Sequence, residues 1–155
     1  MQSEDLQLLK ELLDRQTVLS LAVTVEGEPV IGLLPFACSA DHAALIVHAS
    51  RLARHTRGLS DGAPFAALIH APAVPGLDPL QIPRATFQGR VTALPEEGSA
   101  LDAARKAYRE KLPSAEITLT LGDFRFFRLE IDRGRLVAGF AQATSFGKDA
   151  LRQLP

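Results

Sequence analysis

Apolar residues recur at two different periods along this chain, and the changes of period divide it into elements. Between Glu4 and Arg15, Leu6, Leu9 and Leu13 fall on one stripe, with Leu8 and Leu12 beside it. That is the spacing of a helix with one buried face. Ser3 stands where an N-cap would, and Glu4 and Asp5 suit the positive end of the helix dipole. From Thr17 the rhythm is that of strands. Thr17–Val25 and Val30–Ala37 flank Glu26-Gly27-Glu28-Pro29, which reads as a hairpin. A turn at Ser39-Ala40-Asp41-His42 leads to a third strand, Ala43–His48. Asp61-Gly62 precedes a fourth, Phe65–His70. The Pro- and Gly-bearing stretch Ala71–Pro79 is a loop, and Thr86–Leu94 is a fifth strand that starts at or near Arg84.

Pro95-Glu96-Glu97 then opens a second helix, with Leu101, Ala104, Tyr108 and Leu112 as its inward stripe and Pro113 as its stop. Ile117, Leu119 and Leu121 alternate with threonines, which predicts a sixth strand. Phe127, Leu129 and Ile131 alternate with charged residues and predict a seventh. Arg133-Gly134 is expected to turn the chain into a last strand, Leu136–Phe140. Most strands follow one another without the long crossovers that parallel pairs need, so the sheet is antiparallel. With seven or eight strands, a closed or split barrel with flanking helices is expected, because closure removes exposed edges. The fold class is therefore mainly β. It forms one domain over residues 1–155: a helix to residue 15, a barrel over 16–143 with a helix at about 95–112, and a tail over 144–155.

Composition narrows the function. An apolar fraction of 46% and a charged fraction of 23% describe an ordinary globular chain and exclude a disordered one. A formal net charge of −1 gives no bulk field for nucleic acid or an anionic membrane. The single cysteine, Cys38, has no internal disulfide partner and points to a reduced, cytoplasmic compartment. The acidic start lacks the pattern of a signal peptide, and the longest apolar run, about Val30–Cys38, is far short of a membrane span.

Candidate chemistry concentrates in Ser50-Arg51-Leu52-Ala53-Arg54-His55-Thr56-Arg57. Three arginines, two hydroxyls and a histidine follow a strand with no acid among them, which is what a phosphate needs. A solvated basic surface would have the same composition. His42, His48, His55 and His70 form no metal-ligand pattern, and His48 and His70 read as structural residues at strand ends. Cys38 reads as a small buried hydrophobe. Gly89, Gly134 and Gly139 mark either a bulge or a close approach of ligand or backbone. No nucleophile elbow, P-loop or dinucleotide fingerprint occurs.

Three ordered blocks carry a resemblance. They are Leu34-Pro35-Phe36 followed by Ser50 to Leu59; Asp78-Pro79-Leu80 with Pro83-Arg84 and Gly89; and Phe124 to Leu129 through Leu136 to Ala143. Together they resemble the FMN-binding split-barrel proteins related to pyridoxamine 5′-phosphate oxidase, closest to the branch of HugZ-type haem-utilisation proteins. Gly58 replaces that branch's usual asparagine. The resemblance covers roughly residues 17–143. It implies a six-stranded split barrel, usually a homodimer holding FMN at the subunit interface. It implies Ser50, Arg51 and Arg57 as phosphate contacts, His55 and Thr56 as their neighbours, and Leu34, Pro35 and Phe36 bordering the ring system through backbone. Arg84 is a further contact to the phosphate or ribityl chain. The expected function is a flavin-dependent oxidoreductase acting on a small molecule, with the flavin supplying the redox chemistry.

The C-terminal substrate-phosphate block of the pyridoxamine phosphate oxidases proper is missing, so the substrate is open. Haem binding or degradation is the alternative on the same fold. It is weakened by the lack of any histidine after His70, although His48 or His55 could serve. A cofactor-free binding or regulatory module is the third reading.

Overall fold

Local chemistry explains where each element begins and ends in the computed structural model, which describes all 155 residues, Met1–Pro155. Helix α1 (Ser3–Arg15) buries Leu9, Leu12 and Leu13, the predicted stripe. Its N-cap is Gln2, with no side-chain cap bond, so Ser3 lies inside the helix and does not cap it. Strands β1 (Val18–Val25) and β2 (Glu28–Cys38) form the expected hairpin, turning at Glu26 and Gly27, both with positive φ. β3 (Ala44–Ser50), β4 (Pro64–His70) and β5 (Arg84–Ala93) follow the predicted spans closely. Between β3 and β4 the basic segment forms a short 3₁₀ turn, Arg54–Gly58.

Helix α2 starts at Ser99 and ends at Lys111, four residues later than the acidic stretch suggested. Gly98, at φ +108°, breaks the chain direction just before it, so Pro95-Glu96-Glu97 lies outside the helix. The predicted sixth strand is a correction. Residues Glu116–Leu119 form a helical turn, α3. Thr118 and Thr120 donate their hydroxyls to the carbonyls of Ala115 and Ile117, three residues back, at 2.8 and 2.7 Å. Those local bonds favour a coiled backbone over a ladder, and an alternation only five residues long is too short to outweigh them.

The expected turn at Arg133-Gly134 is a second correction. β6 runs unbroken from Phe124 to Gly139, and the chain reverses at Phe140-Ala141, with Ala141 at φ +60°. Gly134 is needed because a side chain there would collide with the ring of Phe146 and lie 2.7 Å from the carbonyl of Thr86. Residues 144–147, expected as tail, join 142–143 in β7 (Gln142–Gly147) on β6, followed by a short helix α4 (Lys148–Leu151).

The sheet order is β3-β2-β1-β4-β5-β6-β7, every pairing is antiparallel, and β3 also pairs with β6. Six strands thus close a barrel and β7 lies outside the closure. Gly89 is where the β5–β6 register shifts, and a Cβ there would strike the carbonyl of Glu130. This glycine admits a neighbouring backbone at a bulge. The barrel interior holds the main core, including Leu21, Leu45, Phe87, Leu129 and Ile131, together with the buried leucines of α1. A second cluster lies outside the barrel. There α2 packs Leu101, Ala104, Tyr108 and Leu112 over Ile46 of β3 and Phe126 of β6. No helix is long and apolar enough to cross a membrane.

Candidate functional site

The end of β3 and the 3₁₀ turn place Ser50, Arg51, His55, Thr56 and Arg57 on one bend of chain. Two hydroxyls hold it. Ser50 Oγ donates to Asp123 Oδ2 at 2.6 Å, and Thr56 Oγ1 donates to the Ser50 carbonyl at 2.6 Å. The Arg51 amide donates to the Asp123 carbonyl at 2.8 Å. Asp123, at the start of β6, is the acid that the local sequence did not show. It lies 73 residues along the chain from Ser50, and only the β3–β6 pairing brings it here.

The bend leans on β1 and β2. A side chain at Gly32 would collide with the His55 ring, and one at Gly58 would come 2.7 Å from Val23. Gly58, which replaces the family asparagine, is therefore where the turn touches the barrel wall. Gly32, which the sequence reading did not single out, makes room for His55. Burial against this wall lowers the His55 pKa below its ordinary value, so the ring is predominantly neutral at pH 7. Arg51, Arg54 and Arg57 are exposed, and no carboxylate lies within ion-pair distance of any of them. Three unpaired guanidiniums on one bend suit a phosphate or another dianion.

The other predicted contacts are distributed differently. On β2, Leu34 and Phe36 are buried in the core, and only Pro35 of the three is exposed. Leu34 and Phe36 can therefore meet a ligand only through backbone, as the resemblance implied. Arg84 begins β5, and β1 and β4 lie between it and β2 in the sheet. Its guanidinium donates to the carbonyls of Leu80 and Ile82 at 3.3 and 3.1 Å. Within one chain, Arg84 is thus held by its own loop and is not gathered into the basic bend.

A broad apolar surface lies on the opposite face of the two strands that the bend leans on. Ile31 and Leu33 on β2 are 72% and 69% exposed, and Val18 on β1 is 42% exposed. With Pro35 they share the outer face, because the register pairs Val18 with Pro35, Ser20 with Leu33 and Ala22 with Ile31. The bend therefore sits against two strands whose outer faces are bare.

A cavity of about 820 Å³ lies elsewhere, between α1, α2 and the β2–β3 turn. Lys111 sits in its wall, donates to the Leu13 carbonyl at 2.6 Å and lies 3.5 Å from the centre of the Phe36 ring. Burial lowers its pKa to about 8, and burial raises that of the adjacent Cys38 to about 11. Cys38 is thus a protonated thiol, half-buried in the cavity wall and not the fully buried residue expected, and Lys111 ties α2 to the last turn of α1.

No family profile and no curated protein sequence matches the chain. Solved structures do. A heme binding protein from Mycobacterium smegmatis superposes with a TM-score of 0.84 at 26% identity, covering 99% of this chain and 62% of that one. The chain thus spans less than two thirds of that protein. HutZ, the heme storage protein from Vibrio cholerae, gives a TM-score of 0.71 at 21% identity, over 80% of this chain and 87% of that one. The FAD and heme binding protein from Mycobacterium smegmatis gives 0.64 at 18% identity, over 94% of this chain and 76% of that one. The last two likenesses are of fold. The chain therefore shares its split-barrel fold with heme-binding and with FAD- and heme-binding proteins, in line with the resemblance carried by its three ordered sequence blocks.

Proposed function

We propose that the chain binds FMN and acts as a flavin-dependent oxidoreductase on a small molecule, working as a homodimer. The observation that carries the reading is the set of three exposed arginines on one bend, none with a carboxylate partner. Arg51 and Arg57 would hold the phosphate, with Ser50, His55 and Thr56 shaping the bend beneath it. The backbone of Leu34-Pro35-Phe36 would border the ring system. When bound, the flavin would supply hydride or electron transfer, and the protein would supply position and charge. The bare face of β1 and β2 supports a second copy as the other wall of the site, since exposed apolar patches of this kind mark contact surfaces. In such a dimer Arg84, too far from the bend within one chain, would be available to the partner's site.

The test is titration of FMN and riboflavin against the wild type and Arg57→Ala. Loss of a charge-assisted bond to a bound dianion costs about 1.5–3 kcal/mol, roughly ten- to hundred-fold in affinity. Equal FMN affinity in both proteins would remove Arg57 from the site. Riboflavin binding as tightly as FMN would remove the phosphate site altogether.

Haem is a second reading, and one geometric feature favours it. His70 is exposed at the end of β4, and its Nδ1 pairs with the Ala71 carbonyl at 2.7 Å. That bond orients the ring and leaves Nε2 as the free, iron-ligating nitrogen. His48 is enclosed by aromatic rings, and His55 is pressed against Gly32, so neither is as accessible. The absorption spectrum after adding each cofactor separates the readings: flavin bands, a Soret band lost in His70→Ala, or neither for a cofactor-free module.

A further inference from the structure

A cavity of about 310 Å³ opens between β3, the start of β6, α2 and the segment before β6. Its wall includes Arg51, Arg105, Arg125, Glu96, Phe124 and His48. Three cations face one anion there. None of the three arginines lies within ion-pair distance of a carboxylate. The side chains of Arg105 and Arg125 make no hydrogen bond in the protein, and Arg51 makes only a long one, 3.4 Å to the Gly122 carbonyl.

His48 is the independent sign. It is 6% exposed, stacked on Phe126 at 4.2 Å between ring centres and tilted on Phe124 at 5.1 Å. Its Nδ1 is sealed from solvent and has no hydrogen-bond partner, whereas Nε2 makes no hydrogen bond within the protein and is not sealed. A sealed ring nitrogen without a partner is rare, because folding normally satisfies such groups. Burial, reinforced by the charge of Arg105, lowers its pKa to about 4, although Asp123 pulls the other way. The ring is therefore neutral at pH 7. An apolar ligand would leave the arginines and this imidazole unsatisfied. An oxyanion would answer both, accepting from guanidinium N–H groups and from the imidazole Nε2–H, the ring nitrogen that is not sealed.

We propose that this cavity is a binding site for a small oxyanion, the carboxylate or phosphate group of a small molecule. It is separate from the Arg54–Arg57 turn, although Arg51 borders both. The site does not depend on which cofactor the turn holds.

The probes are inorganic phosphate and acetate, titrated at constant ionic strength while the His48 ring nitrogens are followed by NMR. Saturable binding with a shift of the His48 signals is expected for at least one probe. Phosphate alone would identify a phosphate ligand, acetate alone a carboxylate ligand, and both the shared oxyanion chemistry. Arg105→Ala and Arg125→Ala, each with its fold verified by circular dichroism, should weaken binding about tenfold or more. Arg54→Ala, on the neighbouring turn, should leave it unchanged. No saturable binding of either probe would overturn the proposal. So would binding that leaves His48 unmoved, or binding lost in Arg54→Ala and kept in the Arg105 and Arg125 variants. A failure to bind FMN would not touch this result, and these outcomes would not touch FMN binding at the turn.

Discussion

The barrel turns two apolar outer faces away from its core, and only one of them is covered. One lies over β3 and β6. Ile46 and Phe126 point outward there and are 1% and 5% exposed, because α2 lays Leu101, Ala104 and Tyr108 across them. Tyr108 meets Phe126 edge-on at 5.4 Å. The other lies over β2 and β1, where Ile31 and Leu33 stand open. Phe124 and Phe126 lie on the face of β6 opposite the core residue Phe127, so these two rings need cover from outside the barrel. Their cover is α2 and His48, while β7 and the tail serve Phe87 and the main core through Phe146. The face that lacks cover belongs to β2, which carries the longest apolar run of the chain, about Val30–Cys38. The comparison teaches that apolar residues on both sides of a strand signal a second layer, and that the layer is as readily the chain's own helix as another molecule.

Breaking the covered face should cost most. Phe126→Ala removes a buried ring between Tyr108 and His48 and should destabilise the fold by about 3–5 kcal/mol, read from the urea midpoint. A loss below about 1 kcal/mol would mean that α2 is only loosely docked. The equivalent change on the bare face should spare the fold and act on association. Leu33→Asp should leave the unfolding midpoint within about 0.5 kcal/mol of the wild type, measured where both are monomers. In sedimentation at micromolar concentration it should move a dimer to a monomer of 16.7 kDa. A wild type that sediments as a monomer and still binds FMN tightly would remove both the dimer and the shared site.

A third variant probes the seam between the two strands and the basic bend. Gly32→Ala places a methyl group against the His55 ring. It should cost about 1–3 kcal/mol in stability by overpacking and weaken FMN by displacing the turn. Unchanged FMN affinity would show that His55 is not a structural support of the site. The gentlest probe is pH. His48 lies on the covered face with its pKa lowered to about 4 from an ordinary 6.5. Between those values the unfolded chain binds the proton and the folded chain does not. The contribution to stability is therefore complete above about pH 6.5 and declines as pH falls toward 4. His48→Phe should flatten that part of the stability profile. Dimerisation through Ile31 and Leu33, which carry no charge, should be level across the same range.

Much of this molecule was legible in the sequence. The β1–β2 hairpin, strands β3 to β5, the leucine stripe of α1 and the inward stripe of α2 followed from local periodicity, because in each the buried face is decided by residues a few positions apart. The three arginines of the bend were legible for the same reason, since they lie within seven residues, Arg51 to Arg57. What stayed hidden depended on contacts between distant segments. Asp123 reaches Ser50 only through the β3–β6 pairing. Gly32 matters only because His55 folds back onto β2. Arg133-Gly134 looks like a turn until Phe146 is seen occupying the space that its missing side chain leaves. Local pattern determines which residues a strand or helix wants to bury. It does not determine what buries them, because that depends on which elements long-range pairing brings together. Tertiary structure alone therefore decided that α2 covers one outer face of the barrel, that His48 is sealed with an unpaired nitrogen, and that the face of Ile31 and Leu33 is left open.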